Sequence, residues 1–148
     1  MSTELQDLYQ EVILDHNRRP RNFRAIEQAR SAEGFNPLCG DRVTVYLKVD
    51  DGVVTDVSFQ GAGCAISKAS ASLMTEAIKG KTVDEAKALF ERFQQMITAP
   101  AEAPIDDLGK LTVLAGVRQF PIRVKCASLA WHTLRSAVDA QSDVVSTE

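Results

Sequence analysis

Val43, Val45, Leu47 and Val49 alternate with Thr44, Tyr46 and Lys48, and the run stops at Asp50-Asp51-Gly52. A second run follows at once, with Val53, Thr55, Val57 and Phe59 on one side and Val54, Asp56, Ser58 and Gln60 on the other. Alternation of period two marks strands with one buried face, and an Asp-Gly turn between two such runs folds them into an antiparallel hairpin. A lone hairpin is marginal in water, so its apolar face needs a cover. The rest of the chain supplies helices. Leu5, Leu8, Tyr9, Val12, Ile13 and His16 recur at the helical period behind a Thr3 cap, and Pro20 ends the run. Ala65 to Lys79 closes at Gly80, and Thr82-Val83-Asp84-Glu85 is a capping box that opens a helix with Ala86, Leu89, Phe90, Phe93 and Ile97 on one face. Leu108, Leu111, Ala115 and Val117 read as a short helix weakened by Gly109, and Pro121 starts a last helix with Cys126, Leu129, Ala130, Thr133, Leu134, Ala137 and Val138 on one face. A third strand is expected near Ala32–Phe35, or in Asn36–Asp41. The pattern predicts an α+β fold: a small three-stranded antiparallel sheet with helices packed on one face.

The chain has 148 residues, enough for one domain, read here as 1–141 with a polar C-terminal tail at 142–148. Net charge is −3, so an extended nucleic-acid interface, which needs a basic face, is not expected. No apolar run is long enough to span a membrane, and the N-terminus has neither the basic nor the apolar part of an export signal. The expected location is the cytoplasm.

Cysteines number three: Cys39, Cys64 and Cys126. An odd count at wide spacing argues against a disulfide framework and for a reducing compartment. Each lies at an element boundary. Cys39 stands in the turn Asn36-Pro37-Leu38-Cys39-Gly40-Asp41, and Cys64 follows the second strand through a Gly61-Ala62-Gly63 bend into a helix. The outer ends of a hairpin are neighbours, so Cys39 and Cys64 converge. Cys126 lies in the first turns of the last helix, beside Arg123 and Lys125, and nothing local brings it to the other two. Helix N-termini and nearby cations lower thiol pKa. With Asp41, the cysteines would make a four-ligand set suited to zinc, or to iron with sulfide. Spacing alone leaves two readings open, one shared metal site or separate buried thiols, because no Cys-x-x-Cys pair is present.

Several stretches together resemble a known family. These are Leu8-Tyr9, Val12-Ile13, Asp15-His16 and Pro20-Arg21-Asn22; Asn36-Pro37-Leu38-Cys39-Gly40-Asp41; Gly61-Ala62-Gly63-Cys64-Ala65-Ile66-Ser67 with Ala69-Ser70-Ala71-Ser72; and Arg123-Val124-Lys125-Cys126-Ala127. In that order, over about Leu8 to Ala140, the chain resembles the SufU-type branch of the IscU/NifU-N iron–sulfur cluster assembly scaffolds. The resemblance implies a SufE/NifU-like fold and the metal ligands Cys39, Asp41, Cys64 and Cys126. It implies zinc as the usual metal, and Cys39 as acceptor of persulfide sulfur from a pyridoxal-phosphate cysteine desulfurase of the SufS type. A downstream Suf scaffold or apo-proteins would then receive the sulfur. Two alternatives accompany it: a true scaffold assembling a [2Fe–2S] cluster on the same ligands, and a structural zinc module that only docks proteins.

Three departures from the IscU branch favour the SufU branch. Phe120-Pro121-Ile122-Arg123 stands where IscU proteins carry Leu-Pro-Pro-Val-Lys, Lys125 replaces a histidine ligand, and the segment from about Phe90 to Phe120 is longer. Arg123 and Lys125 are the residues expected to stabilise charge on the persulfide. Arg18, Arg19 and Arg21 form either a solvated helix end or a basic docking patch. A thiol enzyme with a histidine base is the rival from another class, but neither His16 nor His132 has a context that favours it. His16 is assigned to structure, His132 to a polar helix face, and Trp131 to either core or surface.

Overall fold

The computed structural model describes residues 3–37, 39–100, 102–104, 108–139 and 145–146, with side chains from Tyr9 to Asp139. The Thr3 cap and the Leu5 and Leu8 packing therefore lie outside the described side chains. So does Leu38 in the cysteine turn, and most of the C-terminal tail lies outside the described residues.

Helix α1 (Thr3–Arg18) precedes strands β1 (Arg30–Asn36), β2 (Asp41–Asp50) and β3 (Val53–Ala62). Helices α2 (Ala65–Ile78) and α3 (Val83–Thr98), a 3-10 segment (Gly109–Gln119) and helix α4 (Pro121–Val138) follow. The sheet order is β3-β2-β1, antiparallel throughout, as the alternation predicts. The third strand is the Ala32–Phe35 candidate, extended to Arg30–Asn36, while Pro37, Cys39 and Gly40 lie in the turn before β2. Within the expected tail, Val145–Ser146 add a short strand, β4, parallel to β1 at Gly34–Phe35.

The β2–β3 turn places Asp51 at φ 51° and Gly52 at φ 74°, the pair of left-handed residues that matches the twist of the flanking strands. One feature of β3 departs from simple alternation. Lys48 pairs with Asp56 but Val49 pairs with Val54, so Thr55 is an extra residue opposite nothing. Its Oγ1 donates toward Lys48 O (3.3 Å) and Asp50 Oδ2 (3.1 Å) at the turn. This β-bulge shifts the phase, so Val54, Val57 and Phe59 face the core while Thr55 is exposed. The strict reading that groups Val53 and Thr55 with Val57 and Phe59 is thereby corrected.

The buried face of the sheet carries Ala32, Gly34, Val43, Val45, Leu47, Val54, Val57 and Phe59. Helix α4 lies across β1 and β2, and α2 packs beside it on β3. Gly34 lets α4 come close: a Cβ there would overlap the Thr133 hydroxyl. Helix α1 packs on α2, and α3 packs on α4 and the 3-10 segment. The Thr82 box forms as expected, with Glu85 N–H to Thr82 Oγ1 at 3.1 Å and Thr82 N–H to Glu85 Oε1 at 3.0 Å. The segment read as a short helix is instead 3-10. Leu108, Leu111, Leu114 and Val117 are buried at the three-residue period of a 3-10 helix, and Val113 and Ala115 are buried beside them. Trp131 is fully buried and stacks on Phe93 at 4.5 Å, which settles it as core. His132 is half-buried and meets Phe90 edge-on at 5.2 Å, so its face is not a polar one.

Candidate metal centre

Period two places Asp41 on the same face as Val43 and Val45, and Asn36 on the same face as Gly34 and Ala32. Both polar side chains thus point at the helices from one end of the sheet, and both are completely buried. They pair across the β1–β2 turn that carries Cys39, and the backbone N–H of Gly40 donates to Asn36 O at 2.8 Å to close it. Gly40 takes φ 71° in that turn. The N-termini of α2 and α4 arrive over the same end of the sheet, bringing Cys64 and Cys126.

Cys64 is the N-cap of α2: its Sγ accepts the backbone N–H of Ser67 at 3.4 Å. The Asp41 carboxylate holds the same end, with Oδ1 accepting the Cys64 N–H at 2.8 Å and Oδ2 3.7 Å from Cys64 Sγ. Gly63 is required for this approach, since a Cβ there would overlap the Asp41 carboxylate. The Cys126 sulfur lies 3.4 Å from that of Cys39. One ligand atom from each of Cys39, Asp41 and Cys126 falls within 4.8 Å of the other two. Cys64 is outside that mutual trio but adjoins it through Asp41 and through the Cys126 thiol. Cys39 is exposed, Cys64 half-buried and Cys126 buried.

The thiols interact strongly. A hydrogen bond from Cys126, outweighing burial, lowers Cys64 to about 7. Cys126, as the donor to Cys64 and itself buried, is pushed far up. One thiolate forms readily in this cluster, and a second must share the space with it and with Asp41. A divalent cation is the group that lets several sulfurs ionise together. Three soft sulfurs and one carboxylate oxygen match the donor preference of tetrahedral zinc and of iron–sulfur centres, so the residues present fit such a group.

The cations expected to stabilise charge on the persulfide, Arg123 and Lys125, precede Cys126 in α4. Arg123 is exposed, lies over the Phe120 ring at 4.4 Å and sits beside Tyr9. Burial raises the Tyr9 phenol and the Arg123 guanidinium opposes it. Neither Arg123 contact is to a sulfur. Lys125 is half-buried, and its carbonyl accepts the Ser128 hydroxyl at 3.3 Å. In the basic turn, Arg21 is tied down by Asp15 at 2.6 Å, while Arg18 and Arg19 are exposed. His16 is buried and bonded to Ser72 Oγ at 2.6 Å, away from the cysteines, which fits its structural assignment.

Asn36 joins the site although no motif marks it as a site residue. It reads as turn chemistry before Pro37, yet its Nδ2 donates to Cys126 Sγ at 3.8 Å. The available signal was phase: Asn36 falls two residues after Gly34, on the buried side of β1.

The model of the NifU-like N-terminal domain matches residues 8–127. The chain belongs to the NifU-like N-terminal domain family. Among the relatives of this NifU-like domain, the zinc-dependent sulfurtransferase SufU of Bacillus subtilis is 41% identical over 137 residues, covering 93% of both chains. The iron–sulfur cluster assembly scaffold protein IscU of Thermotoga maritima is 43% identical over 135 residues, covering 88% of this chain and 92% of its own. In structure, the N-terminal nitrogen-fixing NifU-like protein of Brucella abortus superposes with a TM-score of 0.79 at 27% identity, covering 93% of this chain and 96% of the other. The NifU-like domain is thus one of iron–sulfur cluster assembly proteins, as the motifs imply. Among its described residues, no helix is long and apolar enough to cross a membrane.

Proposed function

We propose that this NifU-like domain is a zinc-holding sulfur acceptor in iron–sulfur cluster assembly, with Cys39, Asp41, Cys64 and Cys126 as ligands. The observation that carries the reading is the convergence of Cys39, Asp41 and Cys126 ligand atoms within 4.8 Å, with Cys64 against Asp41. When bound, zinc would keep the sulfurs as thiolates at neutral pH and protect them from oxidation.

Exposure separates the roles of the sulfurs. Cys126 is buried under α4, whereas Cys39 stands exposed in its turn and can meet a sulfur donor. The donor is a cysteine persulfide on a pyridoxal-phosphate cysteine desulfurase. The Cys39 thiolate attacks the outer sulfur of that persulfide, a new S–S bond forms, and the donor cysteine leaves as thiolate. The sulfur then passes to a downstream scaffold or apo-protein. Arg123 and Lys125, close in sequence to Cys126, would supply positive charge once the site opens, and exposed Arg18 and Arg19 would steer docking. Reduced thiols of this kind suit the cytoplasm.

Metal analysis of the purified chain is expected to give one zinc per chain. After incubation with a desulfurase and cysteine, mass spectrometry is expected to find one added sulfur on Cys39. A metal-free, fully folded chain would refute the site, and a Cys39→Ser variant that relieves the desulfurase at the normal rate would refute the acceptor. The relatives named as IscU scaffolds support a second reading, a [2Fe–2S] cluster on the same ligands. Anaerobic reconstitution with iron and sulfide tests it through visible absorption.

A further inference from the structure

Asn36 is completely buried at the end of β1, beneath the N-terminal half of α4. Burying an amide costs free energy that an apolar side chain of similar branching would not, so its position asks for a partner. Its side chain provides one far away in sequence: Nδ2 donates to Cys126 Sγ at 3.8 Å. Its main chain does something separate. The Asn36 carbonyl accepts the Gly40 N–H at 2.8 Å and so closes the turn that holds Cys39. One residue therefore grips the Cys39 loop by its backbone and the Cys126 sulfur by its side chain, and the two sulfurs end 3.4 Å apart.

We propose that Asn36 is a positioning residue: its amide N–H bonds the Cys126 sulfur, fixing that sulfur as the anchored ligand and leaving Cys39 as the one that exchanges. The inference rests on the metal-site reading above. An N–H donor withdraws electron density from a thiolate, which makes it a poorer nucleophile and restricts the direction of its remaining lone pairs. Three circumstances then reinforce one another at Cys126: burial, the helix α4 backbone and the amide. Cys39 lies in a turn, exposed. Both sulfurs belong to one cluster, and a persulfide donor that reaches one is within a few ångströms of the other. Selectivity between them needs a device, and Asn36 is placed to be it.

The wild-type chain provides the first test. With NMR-active cadmium in the site and nitrogen-labelled protein, proton–cadmium correlation is expected from the Asn36 side-chain amide, through the Cys126 sulfur. The Ser67 N–H, which bonds Cys64 Sγ, is the internal control. Cadmium bound without the Asn36 correlation overturns the inference and leaves the metal site standing. A chain that takes up no cadmium overturns the metal reading itself and the inference with it. The second test is Asn36→Asp, which keeps the shape and removes the donor. Metal affinity, measured by chelator competition, is expected to fall roughly ten- to a hundredfold, and desulfurase-derived sulfur to appear on Cys126 as well as Cys39. A variant that melts lower but keeps its affinity, with the label on Cys39 alone, shows a merely structural asparagine and overturns the proposal.

Discussion

Replacing Trp131 by phenylalanine tests the joint between the two helices that carry Cys64 and Cys126. Trp131 on α4 is fully buried, and its Nε1–H donates to Ser70 Oγ on α2 at 3.2 Å. The Ser70 hydroxyl passes the link back to α4 by donating to Ala127 O at 2.5 Å, one residue from Cys126. Phenylalanine keeps the stack on Phe93 but loses the hydrogen bond, which is worth about 1 kcal/mol. It also leaves roughly 40 Å³ unfilled, a cost of about 1 kcal/mol at the measured price of core cavities. The sum, about 2 kcal/mol, lowers the melting temperature by roughly 4–8 °C for a chain of this size. Ser70→Ala leaves the buried indole N–H without its acceptor and costs about 1–3 kcal/mol. Urea denaturation of both single variants and the double variant closes a cycle, in which a coupling near 1 kcal/mol is expected. A coupling below about 0.3 kcal/mol would show that the indole and the hydroxyl do not act together, and the joint would have to be assigned to packing alone.

Stability is expected to fall with acid through His16. Burial pushes its imidazole below the ordinary value. Its Nδ1 lies 2.6 Å from Ser72 Oγ, which accepts the Arg21 N–H at 2.8 Å, and the Glu76 carboxylate 3.6 Å from Nε2 opposes the burial effect without outweighing it. The unfolded chain then binds the extra proton first: the contribution is complete above about pH 6.5 and is lost as pH falls toward the depressed folded value. Urea midpoints from about pH 7.5 to 5 are expected to drop more steeply for the wild type than for His16→Gln, whose remaining slope comes from His132, which burial also lowers. Parallel slopes would contradict a lowered pKa at His16. The β3 bulge makes a prediction of opposite costs at neighbouring positions. Val54→Thr, at a fully buried site, is expected to cost about 1–2 kcal/mol, and Val53→Thr within about 0.5 kcal/mol. Strict alternation predicts the reverse order, and thermal melts of the two variants decide between them.

Local chemistry was legible wherever a short stretch determines its own shape. The Asp51-Gly52 turn, the Thr82–Glu85 box and Pro121 at the first turn of α4 depend on neighbours a few residues apart, and each appears where the sequence places it. The Thr55 bulge escaped because one unpaired residue reverses the phase of a strand without altering its composition. The 3-10 segment escaped for a similar reason: four hydrophobic residues at spacing three differ little from a helical stripe until packing fixes the period.

The site divides along the same line. Sequence alone placed Cys39 and Cys64 at the same end of the sheet, because antiparallel pairing brings the two outer ends of a hairpin together, and placed Asp41 two residues beyond Cys39. Only the tertiary structure decided that Cys126 arrives there and that Asn36 receives it. That meeting depends on α4 crossing β1 and β2 closely enough, over Gly34 and with its own Trp131 bonded to Ser70 of α2, to lower its first turns onto the end of the sheet. Contacts between residues 90 apart follow from how surfaces pack, and no local pattern encodes that distance.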